Sequence, residues 1–326
     1  MISVIICTYN RDRVLEDTVH SFLDCRTDGI GHEVLIVDNN STDRTREIGE
    51  RFAAWNHRIR YMNEPLQGHP HAKNRGIRES RGEIVAFVDD DVFFSPGWLA
   101  AVASTFERRA DVACIGGKVM PHFESPRPTW IEDDFLWIYG VTRYGDDERE
   151  IRNPEIPIGC NMAFRREVFD RIGLFHTSLG RKPGILLSGD EDHFLLRAGQ
   201  AGLKTLYSPE ARVSHRIPDA RASLRWVLSR FYWAGISEVA MRQLGDDPLS
   251  RLALTKKASR TLFGLLRRWR EAARMLGAGI GRDVGVHVRQ QVDIYHKLGV
   301  LRQMVAESFS VPDGAAVASG QRGKGN

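Results

Sequence analysis

The sequence has few cysteines, and none of them lies close to another. The chain of 326 residues contains four, at Cys7, Cys25, Cys114 and Cys160. Zinc sites and redox motifs need cysteines a few residues apart, and small secreted domains need a dense disulfide framework. The spacing therefore excludes these classes and predicts reduced, mostly buried cysteines that carry no indication of function.

The sequence also lacks a segment that could cross a membrane. Even the apolar residues 224–241 include Arg225, Arg230 and Glu238, whereas a transmembrane helix needs about 20 predominantly apolar residues. The first residues, Met1-Ile2-Ser3-Val4-Ile5-Ile6, enter a strand pattern without the basic start of a signal peptide. We therefore expect a cytoplasmic protein.

Two glycine-rich phosphate-binding motifs are missing. No G-x-G-x-x-G follows the first predicted strand, and the chain has no G-x-x-x-x-G-K-[ST]. These absences leave a Rossmann dinucleotide site and a P-loop unsupported. A bound diphosphate would then have to be neutralised by a metal ion and not by a glycine cradle.

Positive charge is concentrated at the end of the chain. Residues 241–326 contain 15 Lys and Arg against 7 Asp and Glu, although the whole chain carries a net charge of only +4. Nucleic-acid-binding proteins concentrate positive charge around a reading surface with aromatic platforms. Here the basic residues follow a helical pattern, so we expect no nucleic-acid partner.

The first 90 residues alternate between strand and helix patterns. Short apolar runs at 4–7, 34–37, 59–62 and 84–88 are separated by segments with helical spacing of apolar residues. Such alternation with short connections predicts an α/β fold with a mostly parallel sheet and helices on both faces. Ligands of such sheets bind beyond the carboxyl ends of the strands.

Polar residues stand at three of those ends and should converge. They are Thr8-Tyr9-Asn10 after the first strand, Asp38 after the second, and Asp89, Asp90 and Asp91 after the fourth. Three adjacent carboxylates at the end of an apolar strand are costly unless a cation or strong hydrogen bonds compensate them. Because side chains alternate along an extended chain, Asp89 and Asp91 should share one side and could hold Mg²⁺ or Mn²⁺ on a diphosphate. The alternative is that the triplet only precedes a helix capped by Ser95.

Five segments, in order, resemble the successive motifs of family 2 glycosyltransferases with the GT-A fold. They are Cys-Thr-Tyr-Asn-Arg (7–11), Val-Asp-Asn-Asn-Ser-Thr-Asp (37–43), Ala-Lys-Asn-Arg-Gly-Ile (72–77), Phe-Val-Asp-Asp-Asp (87–91) and Gly-Asp-Glu-Asp-His-Phe-Leu-Leu-Arg (189–197). The resemblance covers about residues 2–216. It implies an inverting transferase that uses a nucleotide diphosphate sugar, with UDP favoured by family frequency.

The resemblance implies a nucleotide site built from the first four motifs. Asp38 is expected to hydrogen-bond the base, and Thr8, Tyr9 and Asn10 to hold base and ribose. The alternative is that Asp38 forms an Asx turn before a helix and does not contact the base. Either Lys73 or Arg75 is expected to face the nucleotide, or both are solvated helix charges.

The metal and the catalytic base are also implied by the resemblance. Asp91 is expected to contact Mn²⁺ or Mg²⁺ directly, Asp89 to contact the ribose or a metal-bound water, and Asp90 to substitute for either. His215 matches a late histidine that many members place near the metal, although a lone histidine is also commonly structural.

Asp192 is expected to be the base that deprotonates the acceptor hydroxyl, with Glu191 orienting Asp192 or the acceptor. Asp190 is an extra acid in this motif. The alternative is that these acids start a helix, where the dipole favours negative charge.

Three further residues are candidates for contacts with the sugar or the acceptor. Asn161 lies in a segment, residues 159–166, that resembles the family's approach to the acceptor. Trp130 and Trp137 lie in a proline-rich stretch and could stack on a sugar or pack in the core.

The predicted organisation is a GT-A catalytic domain at 1–218, a basic helical region at 219–310 and a disordered tail at 311–326. The first domain divides into a nucleotide half, 1–120, and an acceptor and base half, 121–218. In the helical region, Leu262, Leu265, Leu266, Trp269, Ala273 and Leu276 share a face opposite several arginines. That face could lie on an anionic membrane, as a peripheral protein of the inner face would, or pack on its own protein or a second subunit.

Two other functions stay open at this stage. A sugar nucleotidyltransferase uses a similar sheet and metal-binding acids, but it carries a glycine-rich basic loop where this chain has Thr8-Tyr9-Asn10-Arg11. A catalytically inactive scaffold that binds carbohydrate or membrane would be favoured by loss of the metal acids or the late acid, and both are present. The acceptor is open among glycans, lipid-linked sugars and small molecules.

Overall fold

A computed structural model describes residues 1–27, 29–245, 247–277 and 284–310, with the backbone alone for 268–277 and 284–287. The strands are β1 (Ile2–Thr8), β2 (His32–Asp38), β3 (Ile59–Asn63), β4 (Ile84–Asp89), β5 (Val92–Phe94), β6 (Val112–Phe123), β7 (Arg149–Glu150), β8 (Asn161–Arg165) and β9 (Lys204–Ile217). The helices are α1 (Asp12–Leu23), α2 (Thr45–Trp55), α3 (His69–Glu79), α4 (Trp98–Arg108), α5 (Glu167–Ile172), α6 (Asp190–Gln200), α7 (Leu224–Leu244), α8 (Arg251–Gly277) and α9 (Val284–Ser310). A 3-10 helix spans Asp133–Tyr139.

The strands form one mixed sheet in the order β3-β2-β1-β4-β8-β6-β9-β5, with β7 paired to β9. The first four strands are parallel to one another, and β8 inserts antiparallel between β4 and β6. The predicted fold class, a mostly parallel sheet flanked by helices with further helices at the C-terminal end, is confirmed.

Alternate residues of β1 enter two hydrophobic cores, one on each face of the sheet. Val4 and Ile6 pack on the side of α1, α2 and α4, whereas Ile5 and Cys7 pack on the side of α3, α5 and α6. This follows from the two-residue repeat of a strand, and it explains why β1 is apolar at each position from Val4 to Cys7.

The carboxyl ends of the parallel strands meet at one edge. Thr8 is in register with Asp38, and Cys7 is in register with Asp89. The three polar strand ends singled out in the sequence therefore lie side by side. This edge is the floor of the candidate site.

The C-terminal helices pack closely on one another. A side-chain carbon added to Gly235 of α7 would lie 2.1 Å from the backbone oxygen of His296, and one added to Gly299 of α9 would lie 1.9 Å from that of Tyr232. Only glycine permits such close backbone approach. The pair of helices thus forms a fixed wall.

Within the described part of the chain, no helix has the length and apolar character that crossing a membrane requires. On the predicted apolar face of α8, Leu265 is buried, whereas Leu262 and Leu266 are exposed. The side chains of Trp269, Ala273 and Leu276 and the tail at 311–326 lie outside the described residues.

Candidate active site

A cavity of about 690 Å³ opens at the carboxyl edge of the parallel strands. Its size falls within the ~300–1,000 Å³ common for small-molecule sites. Its walls come from the ends of β1 and β4, the loops before β8 and α6, and one face of α7. It brings the adjacent acids Asp89, Asp90 and Asp91 together with Asp192 and His215, which lie more than 100 residues further along the chain.

Asp89, Asp91 and His215 form a group with the chemistry of a metal site. One ligand atom from each lies within 4.8 Å of the others. Asp91 Oδ1 and His215 Nε2 are 2.9 Å apart, yet neither atom has a hydrogen bond of acceptable geometry. Buried polar atoms nearly always have partners, so these two fit a cation bound between them.

Strand pairing positions His215. In the antiparallel β5–β9 pair, His215 is in register with Val92, the residue after Asp91. The ring nitrogen Nδ1 hydrogen-bonds to the backbone oxygen of Tyr139. Because a carbonyl oxygen can only accept, Nδ1 carries a proton, so that Nε2 presents its lone pair to the site whenever the ring is neutral.

Two arginines that the sequence analysis did not assign lie against the acids. Arg221 Nη1 is 3.1 Å from Asp91 Oδ2, and Arg11 Nη2 is 3.7 Å from the same oxygen. Arg11 belongs to the first family motif and could have been found there. Arg221 is 130 residues from Asp91, and no sequence pattern connects the two.

The surroundings separate the pKa values of the neighbouring acids. Burial and the Asp91 charge raise the pKa of Asp90 to about 7. Burial would also raise the pKa of Asp91, but His215 and Arg221 outweigh it and hold that pKa well below its usual range. Burial would lower the pKa of His215, but Asp91 raises it above its usual value. Of these two acids, Asp91 is therefore the one that is negatively charged at neutral pH.

The predicted nucleotide residues fall into two groups. Thr8 and Tyr9 line the cavity. The Asn10 side-chain oxygen instead accepts a 2.7 Å hydrogen bond from the Thr42 backbone N–H.

Asp38 is 1% exposed and already has protein partners on both oxygens. Oδ1 accepts from the Ser41 backbone N–H at 2.9 Å, and Oδ2 accepts from the Tyr61 hydroxyl at 2.8 Å. The first of these bonds is the Asx turn weighed for this residue. Its neighbour Asn39 lines the cavity.

Lys73 is buried beside the acids that begin α6. Its Nζ donates a 2.9 Å hydrogen bond to Asp190 Oδ2 and also contacts the Glu191 carboxylate. Lys73 is not among the described residues that line the cavity. Lys73 is only 1% exposed and neutralises these buried acids of the protein, so its contact with the nucleotide stays a prediction.

Asp192 differs from the two acids before it. It lines the cavity, and it forms no ion pair with a described residue, whereas Lys73 holds Asp190 and Glu191. Its side chain is exposed at the cavity, and partial desolvation by the surrounding protein together with the Glu191 charge raises its pKa above the usual value. A carboxylate with these properties can accept a proton from a bound hydroxyl group.

The Lys73 arrangement gives a stability prediction. Lys73→Met would leave Asp190 and Glu191 without their buried partner, so we expect the free energy of unfolding to fall by about 3 kcal/mol or more. Urea unfolding measures this loss. Arg75→Met is the matched control on the same helix. Among the described residues, Arg75 forms its ion pair with Glu79 at the half-exposed surface, and we expect a change within about 0.5 kcal/mol. Equal losses for the two variants would contradict the assignment.

The other predicted residues divide between the cavity and the core. Trp137 lines the cavity and is 46% exposed, whereas Trp130 packs in a hydrophobic cluster with the 3-10 helix. Asn161 is buried, accepts from the Trp98 indole N–H at 2.9 Å and donates to the Ala211 backbone oxygen at 2.7 Å. Asn161 thus fixes the strands, and no side-chain atom is left for a sugar in the present arrangement.

The α7 wall was not anticipated as part of the site. Arg230, Ala234, Ser237, Glu238 and Met241 face the cavity from one side of this helix. They lie beyond the predicted catalytic boundary at residue 218. Their three- and four-residue spacing is an ordinary helical repeat, so no local pattern indicates that this face borders a ligand site.

Known proteins with similar sequences are glycosyltransferases and polysaccharide biosynthesis proteins. The glucosyl-dolichyl phosphate glucuronosyltransferase of Haloferax volcanii is 29% identical over 255 residues, which cover 76% of this chain and 80% of that protein. The succinoglycan biosynthesis protein ExoM of Rhizobium meliloti is 28% identical over 243 residues, or 72% of each chain.

A solved structure shares the fold over nearly the whole chain. It is a mannosyltransferase from Pyrobaculum calidifontis in complex with GDP-Man and Mn²⁺, with a TM-score of 0.59 and 20% identity. The match covers 94% of this chain and 86% of that one. This likeness supports the GT-A fold implied by the motifs.

The family model described as glycosyl transferase family 2 matches residues 3–173, just over half of the chain. That range includes the polar ends of β1, β2 and β4, whereas Asp192, His215 and α7 come after it. The chain belongs to glycosyl transferase family 2.

Proposed function

We propose that the protein transfers a sugar from a nucleotide diphosphate sugar, with UDP favoured, to an acceptor hydroxyl, with inversion at the anomeric carbon. One observation carries the proposal. A single cavity contains both the Asp89, Asp91 and His215 group and the separate carboxylate of Asp192, which has no ion-pair partner among the described residues.

Asp91 and His215, with Asp89, would hold the metal. The imidazole nitrogen favours Mn²⁺ over Mg²⁺, because Mg²⁺ prefers oxygen ligands. When bound, the ion acts as a Lewis acid that stabilises the departing diphosphate. Arg11 and Arg221 add positive charge beside the same acids.

Asp192 would act as the general base. The acceptor oxygen forms a bond to the anomeric carbon while the bond from that carbon to the diphosphate oxygen breaks, and the hydroxyl proton passes to Asp192. A positioned carboxylate of this kind contributes on the order of 10²–10⁴ in rate. One displacement from the face opposite the leaving group inverts the anomeric centre.

The relatives suggest the class of acceptor. Their names refer to a glucosyl-dolichyl phosphate and to succinoglycan biosynthesis, so we propose a lipid-linked sugar or a growing glycan as the acceptor. This acceptor class would suit a cytoplasmic protein bound to the inner face of a membrane. Exposed Leu262 and Leu266 on α8 are the described side chains that could contribute to such contact.

A panel of nucleotide sugars tests the proposal. Purified protein is incubated with UDP-, GDP- and dTDP-sugars and Mn²⁺, and slow hydrolysis of the donor is followed by release of the nucleotide. We expect turnover with one nucleotide class, because water can replace the acceptor hydroxyl slowly when no acceptor is present. Release of pyrophosphate from a nucleoside triphosphate and a sugar phosphate would instead indicate a nucleotidyltransferase, and binding without any turnover would indicate an inactive scaffold.

A further inference from the structure

Arg230 is a buried cation whose donors are mostly unused. Its side chain lies on the cavity wall, and the residue is 8% exposed. Nη2 donates a 3.3 Å hydrogen bond to the Ser188 hydroxyl, whereas Nε and Nη1 have no hydrogen-bond partner. Arg230 forms no ion pair with any residue that the structure describes.

Such an arrangement is costly without a ligand. A buried charge loses its hydration, and unpaired buried donors add a further penalty. The aromatic face of Trp137 lies 5.9 Å from the guanidinium and offsets only part of this cost. A group that the cavity admits must therefore supply the remaining compensation.

A second arginine makes the local charge more positive. Arg181 lines the same cavity, and its charge acts on Arg230 unfavourably. The backbone oxygen of Arg181 accepts a 2.9 Å hydrogen bond from the His69 N–H, which holds its loop against the start of α3. Two cations that face one cavity favour an anion between them.

This positive region is distinct from the metal group. The acids that act on Arg230 are Asp192 and Glu191, whereas Arg11 and Arg221 pair with Asp90 and Asp91. Arg230 therefore lies on the side of the candidate base, where the reacting sugar and the acceptor meet, and not where the diphosphate would be held.

We propose that Arg230 and Arg181 form a subsite for an oxyanion, a carboxylate or a phosphate, carried by one of the two sugar substrates. A guanidinium presents several donors in a planar fork and matches the oxygens of both groups. The inference rests on the proposed function and specifies its substrate class. The charged group belongs either to the donor sugar, as a uronate carboxylate, or to the acceptor, as a phosphate that links it to a carrier.

Matched ligands distinguish the two sources. Calorimetric titration in Mn²⁺ compares UDP-glucose with UDP-glucuronate, which differ only in a hydroxymethyl or carboxylate group, or GDP-mannose with GDP-mannuronate if the guanine nucleotide binds. With UDP present, a second titration compares an alkyl glucoside with an alkyl phosphate ester of glucose. We expect at least a 10-fold preference for the charged ligand in one of the two comparisons.

Variants then assign that preference to the subsite. Arg230→Gln should reduce the ratio of the two affinities to near 1, and Arg181→Gln should reduce it several-fold. Arg225→Gln is the control, because Arg225 lies on the same helix but is exposed outside the cavity, and it should keep the full ratio. If the thermal melt shows that Arg230→Gln does not fold, the affinity ratio of Arg181→Gln decides whether the subsite exists.

Three outcomes would overturn the proposed subsite. In the first, the wild type shows no preference for the charged ligand in either comparison, and in the second, the preference survives in both Arg230→Gln and Arg181→Gln. In the third, Arg230→Gln loses as much affinity for UDP alone as for the charged ligand, which would place the diphosphate on Arg230. In each of these cases nucleotide binding persists in the wild type, so the proposed function stands. Failure of every nucleotide and nucleotide sugar to bind would instead refute the proposed function itself.

Discussion

Asp192→Asn is expected to lower kcat by on the order of 10²-fold or more, because asparagine keeps the shape of the side chain but cannot accept the acceptor's proton. The affinity for nucleotide and metal should stay nearly unchanged, since Asp192 does not belong to the metal group. Single-turnover transfer assays measure the chemical step, and titration with the nucleotide measures binding.

The pH dependence gives the same prediction an independent test. The base works when it is deprotonated, and partial desolvation together with the Glu191 charge raises the pKa of Asp192. Activity should therefore decline as pH falls through this raised pKa, at a higher pH than an ordinary aspartate, near 3.9, would give. The residual activity of Asp192→Asn should not show this decline at low pH.

The neighbouring acids are the controls. Asp190→Asn and Glu191→Gln change carboxylates that Lys73 already holds, so their losses should appear mainly in stability. If Asp192→Asn transfers sugar at a rate near that of the wild type and Asp190→Asn or Glu191→Gln is inactive, the general base is Asp190 or Glu191 and not Asp192. Full activity in all three variants would show that these acids only start α6.

The second large effect concerns the metal. Chelation with excess EDTA should abolish donor turnover, and Mn²⁺ or Mg²⁺ should restore it, because Asp89, Asp91 and His215 present ligand atoms within 4.8 Å of one another. We expect His215→Gln to raise the Mn²⁺ concentration needed for half-maximal turnover by about 10-fold or more. Turnover measured against free metal concentration gives this value.

A second histidine provides the comparison. His122 lies on the neighbouring strand β6, in register with Arg216 and outside the cavity wall. His122→Gln should leave the metal requirement as it is in the wild type. Full turnover in excess EDTA, or the same shift for both histidine variants, would show that the His215 cluster does not hold a catalytic ion.

The nucleotide half of the fold could be predicted because its signals are local. The β1, β2 and β4 segments are apolar at nearly every position and end in polar residues, as strands that are buried on both faces do. Parallel pairing then brings their ends together, and the register of Thr8 with Asp38 and of Cys7 with Asp89 shows this convergence. The Asp89–Asp91 cluster could be located in this way without any tertiary information.

The second half of the site was less predictable because its residues depend on distant partners. Lys73 and Asp190 are 117 residues apart, and the repeat of apolar residues on α3 shows which face is buried but not which acid it meets. Asn161 was expected near the sugar, yet its amide bonds to Trp98 and Ala211. A polar residue on a buried strand can serve a ligand or the core, and only packing distinguishes the two.

The sequence by itself determined the family, the sheet and the acids available for chemistry, since strand periodicity and short motifs are properties of neighbouring residues. The tertiary structure decided which of those groups remain free. Lys73 holds two acids of α6, and Asp192 has no ion pair within the described part of the chain. The β5–β9 register places His215 against Asp91, and α7 brings Arg230 to the cavity. Charge compensation depends on distances between elements far apart in the chain, which no local pattern specifies.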